Sequence, residues 1–119
     1  MHSEFINIDH KKILKMSILS ITFHTIENKI EEWDIYVEND LHQMVENLLD
    51  VEKYILSEVR SDMLGEGKNT NLLLVFDNDL MRDQFMESEL VNLEERINMK
   101  FGEYVMVFPT FLDPKKTRF

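Results

Sequence analysis

Residues 65–79 read GEGKNTNLLLVFDND, and three signals inside that stretch set the middle of the fold. Gly65-Glu66-Gly67-Lys68-Asn69 is a turn cluster of the kind that separates two strands. Asn71 to Phe76 follows, and from Leu72 onward it is apolar without alternation, the mark of a strand covered on both faces or lying at the centre of a sheet. Asp77-Asn78-Asp79 then supplies three short polar side chains able to cap the first turn of a helix. Turn, strand and helix start therefore follow one another directly.

Upstream of the turn, Val51, Tyr54, Ile55, Leu56 and Val59 within Asp50 to Val59 predict a strand, because Tyr, Ile and Val favour a pleated backbone. With Asn71 to Phe76 it forms a hairpin. Further upstream, Asn28 precedes Ile30, Trp33, Val37, Leu41, Met44, Val45 and Leu48, whose steps of three and four make one apolar stripe on a helix of about twenty residues. Glu31 and Glu32 suit the positive end of its dipole. Before that helix, Ser17 to Thr25 sets Leu19, Ile21 and Phe23 on one face and Ile18, Ser20, Thr22 and His24 on the other, the two-residue period of a half-buried strand.

Downstream, Met81, Phe85, Leu90, Leu93 and Ile97 predict a second helix reaching about Asn98, with Gly102 after Phe101 able to end it through a positive φ. Tyr104 to Leu112 closes the pattern as a strand, and Pro109 within it points to a sheet edge or a bulge. The order is βαββαβ. A right-handed split βαβ arrangement of these elements is an α+β, ferredoxin-like sandwich, a four-stranded antiparallel sheet with two helices on one face. Helices on one face leave the other uncovered, yet Leu72 to Phe76 is apolar on both faces, and Ile18, Tyr54, Leu56 and Phe108 add to the apolar excess. A second copy packed sheet to sheet about a twofold axis, giving a dimeric α/β barrel, is the expected cover.

The chain has 119 residues, enough for one core without metal or disulfide staples. The ferredoxin-like domain is expected to span 16–113, with 1–15 an upstream extension, Met16 the natural start and 114–119 a tail. Cys is absent, which removes disulfides, thiolate metal sites and Cys nucleophiles. No apolar run approaches the roughly 20 residues of a membrane-spanning helix, and Met1 to Met16 lacks the apolar core of a secretory signal, so the cytoplasm is the expected compartment. With 13 Lys and Arg against 23 Asp and Glu, the formal charge is −10. The basic groups at Lys11, Lys12 and Lys15 and at Lys115, Lys116 and Arg118 flank the domain, so neither nucleic acid nor an anionic membrane is an expected partner.

The residues also resemble those of an uncharacterised bacterial family, domain of unknown function 4286, over about Ile18 to Leu112. The likeness lies in the opening strand, Glu31-Glu32-Trp33, Tyr36-Val37, His42, Arg82 with Phe85, Leu93, Phe101-Gly102, and above all the ending Val105-Met106-Val107-Phe108-Pro109-Thr110-Phe111-Leu112. Two departures stand out. Members usually carry a second Trp where this chain has Tyr36, and a His-Ile-Pro run where it has Leu41-His42-Gln43. The resemblance implies a small dimeric ferredoxin-like protein and carries no activity with it.

No phosphate loop, dinucleotide fingerprint, His-Glu-x-x-His, nucleophile elbow or calcium loop is present, and Gly65-Glu66-Gly67 reads as a turn because it lacks a third Gly and precedes a strand. No cofactor or metal is expected. His24, on the strand face away from Leu19, Ile21 and Phe23, is a candidate ligand or proton carrier, against the plainer reading of a hydrogen-bonded strand histidine. His42 with Glu38, four residues earlier, reads as a helix-surface pair, and a metal site there with Glu38 or Glu46 would need a third ligand. Trp33 and Tyr36 are either core or a stacking wall.

Three functions compete. The first is a homodimeric ferredoxin-like protein without catalysis. The second is a small-ligand-binding or monooxygenase-like barrel with a cavity near His24, to which Thr22, Tyr104 and Thr110, with Trp33 and Tyr36, would contribute. The third is an acidic partner-binding regulatory module, motivated by the charge alone.

Overall fold

The computed structural model describes residues 16–60 and 66–118. The expected extension 1–15 and Gly65 of the turn cluster lie outside them. Strand β1 (Ser17–Thr25) occupies the range its alternation predicts, with every odd-numbered side chain from Ser17 to Thr25 buried. A 3₁₀ turn (Glu27–Lys29) leads into α1 (Ile30–Tyr36), a π-helical turn (Val37–Leu41) and α2 (His42–Glu46), which together form one rod. Strand β2 (Lys53–Glu58) pairs antiparallel with β3 (Lys68–Phe76). Helices α3 (Asp79–Glu87) and α4 (Glu89–Phe101) follow, and β4 (Val105–Leu112) ends the fold. The sheet is antiparallel in the order β2-β3-β1-β4. This is the ferredoxin-like topology, with Pro109 on an edge strand where its missing N–H costs no ladder bond.

One face of the sheet carries the core. Leu19, Ile21 and Phe23 of β1 and Leu72, Leu74 and Phe76 of β3 are fully buried against Trp33, Leu41 and Val45 of the first rod and Phe85, Leu90, Leu93, Ile97 and Phe101 of the second. Each such side chain contributes about 1.5–3 kcal/mol through burial. Asn78 caps α3, its side-chain oxygen accepting from the Met81 amide at 3.0 Å. Gly102, at φ +58°, ends α4 as expected.

The fold corrects the expected facing of β2 and the expected continuity of the second helix. Tyr54 and Leu56 do not enlarge the open face, because β2 pairs Tyr54 with Leu74 and Leu56 with Leu72, turning both toward the helices. It is Ile55 that faces outward, 59% exposed. In the first rod, Val37 packs half-buried against the core and Tyr36 is buried beside it, while the π turn sets a five-residue step between Tyr36 and Leu41. The second helix is two helices, broken at Ser88 (φ −122°, ψ −73°), whose hydroxyl donates to the Gln84 carbonyl at 2.7 Å.

Candidate functional site

Register across the open face can be read directly from the strand pairing. Val75, Ile18 and Leu112 form one row, followed by Leu73, Ser20 and Thr110, then Asn71, Thr22 and Phe108, then Asn69, His24 and Met106. The face is therefore apolar at one end and along the β4 edge, with a polar strip through β1 and β3. Asn71 binds that strip together, its Nδ2 donating to Ser20 Oγ at 2.8 Å and to Thr22 Oγ1 at 3.4 Å. His24 Nδ1 lies 2.7 Å from Asn69 Oδ1. With Nδ1–H donating to that oxygen, Nε2 is left as the basic nitrogen. The ring rests over Gly67: a Cβ there would lie 3.2 Å from Cε1 and Nε2 and would collide with the Thr25 carbonyl. Gly67 also sits at φ +88°, so both space and backbone require glycine.

The sheet divides the predicted ligand residues. His24, Thr22 and Thr110 share the open face. Trp33 and Tyr36 lie beneath the opposite one. Trp33 is fully buried, its ring centroid 5.4 Å from Phe23 and 5.6 Å from Tyr36 and Phe101, and its Nε1 donates to Thr70 Oγ1 at 3.0 Å. Tyr104 belongs to the 3₁₀ turn before β4, half exposed, with the Lys29 ammonium 5.3 Å from its ring centre. His42 pairs with Glu46 at 3.4 Å, and Glu46 also accepts from the Tyr54 hydroxyl. Among the described residues, no group of three or more His, Asp or Glu could hold a metal ion.

A feature the sequence reading missed lies on the helical side. Between the first rod and α4 runs a groove, wide at one end, where about 610 Å³ is lined by Tyr36, Asp40, Gln43, Met44, Arg96 and Lys100 among others. It adjoins a second space of about 340 Å³ at Met44, Asn47 and Arg96, floored by Val45, Leu72, Phe85 and Leu93. Burial, and then the Asp40 carboxylate, raise the Tyr36 hydroxyl above its ordinary range against a smaller opposing pull from Arg96. At the other end burial, and then Asp50, raise the Glu89 carboxyl. A cue was present in Arg96 and Lys100, one turn apart on an otherwise acidic helix.

A domain-of-unknown-function model, DUF4286, matches residues 16–115. The chain belongs to the DUF4286 family. No curated protein matches this DUF4286 chain. Among solved structures, an ethyl tert-butyl ether d (EthD) family protein from Bacillus halodurans C-125 is similar to it with a TM-score of 0.60 and 12% identity, over 79% of this chain and 96% of that one. A dimeric ferredoxin-like protein from an uncultured marine organism is similar with a TM-score of 0.51 and 9% identity, over 87% and 98%. At these identities the likeness concerns the fold, and it agrees with the ferredoxin-like topology. Among the described residues, no helix of the DUF4286 chain is long and apolar enough to cross a membrane.

Proposed function

We propose that this DUF4286 protein works as a homodimer joined through the open faces of its two sheets, as a binding or structural unit without catalysis. The observation that carries this reading is the open face itself. Ile18, Ile55, Leu73, Val75, Met106, Phe108 and Leu112 lie on it, and Ile55, Met106, Phe108 and Leu112 are between 41% and 59% exposed in the single chain. Apolar side chains gathered on one flat face are stabilised by removal from water, which a twofold copy of the same face supplies without a further partner. A similar fold described as dimeric supports a dimer as such.

Light scattering on two variants tests it. Wild type is expected at twice the chain mass at micromolar concentration, Phe108→Glu at the single-chain mass, and Ile35→Glu, on the outer surface of α1, at the dimer mass. A monomeric wild type, or a Phe108→Glu protein that stays dimeric, would overturn the reading.

The polar strip favours a second reading, in which the same dimer encloses a small ligand beside His24, Thr22 and Thr110. A histidine whose Nδ1 is held by Asn69 presents Nε2 as acceptor or base. A crystal structure of the dimer separates the readings, since side chains of the partner packed against His24 would leave no room for a ligand.

A further inference from the structure

The groove on the helical side lies across the sheet from the proposed dimer interface and is independent of it. We propose that this groove binds a small amphipathic carboxylate, its hydrocarbon along Met44, Leu48 and Leu49 and its head group at Arg96 and Lys100. Three observations point the same way.

The first is the state of the cations. On the helices, Lys29 pairs with Glu32, and Arg82 with Asp79 and Asp83. Arg96 and Lys100 have no carboxylate within ion-pairing distance among the described residues, although the chain carries 23 acidic residues. Arg96 Nη1 instead faces the Met44 sulfur at 3.7 Å, and the Lys100 ammonium lies 5.6 Å from the Tyr36 ring centre. A guanidinium presents a planar fork of donors that matches a carboxylate.

The second is the shape. The space of about 340 Å³ is an open groove whose accessible apolar walls are Met44, Leu48 and Leu49, above the almost wholly buried Val45, Phe85 and Leu93. It falls within the range of small-molecule sites, roughly 300–1,000 Å³, and adjoins the wider space at Met44, Asn47 and Arg96, so apolar wall and cationic rim are continuous.

The third is polarity along α4. Lys100 and Arg96 stand toward one end, and Glu89, two turns before Arg96, lines the smaller space, its carboxyl raised by burial and then by Asp50. That end disfavours a second negative charge, which sets the ligand with its tail inward. Asp40 on the facing rod also lines the head-group space and opposes any anion there, a multiply charged head more strongly than a single carboxylate.

Octanoate is the probe. Titrated into full-length protein carrying 13C-methyl Met, it is expected to shift Met44 and Met99 saturably while leaving Met106, on the open sheet face, unmoved. Octanol, with the same tail and no charge, is expected to bind several-fold more weakly, as is octanoate to Arg96→Gln, whose exposed position spares the fold. The comparison of octanoate with octanol on wild type stands even if that variant is unstable. No shift at Met44, equal binding of the two probes, or shifts confined to Met106 would overturn the proposal.

Discussion

Thr70 and Thr25 are both buried on the helical face of the sheet, one with a partner and one without. Thr70 accepts the Trp33 indole N–H, whereas the Thr25 hydroxyl has no hydrogen-bond partner among the described residues. A buried donor left unpaired costs more than the bond itself contributes. Thr70→Val is therefore expected to lose about 1–3 kcal/mol of unfolding free energy, while the equally isosteric Thr25→Val is expected to be neutral or to gain up to about 1 kcal/mol. Urea denaturation at constant slope measures both. Equal losses in the two variants would contradict the Trp33–Thr70 bond. The same bond explains why Trp33 was only half legible in the sequence. Its size and helical spacing marked it for the core, but the spacing could not show that Thr70, on a strand 37 residues away, would receive its polar edge.

Among the elements, β1 was legible residue by residue because only one face of it is apolar throughout, the other carrying Ser20, Thr22 and His24 beside Ile18, so its alternation leaves a single choice. Strand β2 was not, since Tyr54, Ile55 and Leu56 are all apolar and either parity satisfies the pattern. Pairing with Leu74 and Leu72 decides it. Both helical rods hid one irregularity with a shared cause. Tyr36 and Leu41 are five residues apart and both buried, as are Phe85 and Leu90. Five residues of regular helix would set the second side chain well off the stripe of the first. The first rod absorbs the mismatch in a π turn and the second in the break at Ser88. A five-residue step between large apolar residues was thus a signal that a search for threes and fours passes over. The groove was less accessible still, because it depends on how the two rods sit beside each other on the sheet.

For the whole molecule, the order of elements was the most legible quantity, and the open face followed from it. Both helical rods on one side oblige the other side either to be polar or to be covered. Leu73 and Val75 on β3, Ile18 on β1, Ile55 on β2 and Met106, Phe108 and Leu112 on β4 make it apolar, while Ser20, Thr22, His24, Asn69 and Asn71 keep a polar strip within it. The central claim is that this face is covered by a second copy. Hydroxyl-radical footprinting of the unmodified protein tests it most directly, because Met99 on α4 is 87% exposed and Met106 on the open face 46% exposed in the single chain. At micromolar concentration the account predicts ready oxidation of Met99 with Met106 and Phe108 protected, the protection fading on dilution. Oxidation of Met106 in proportion to its single-chain exposure, at every concentration, would contradict it.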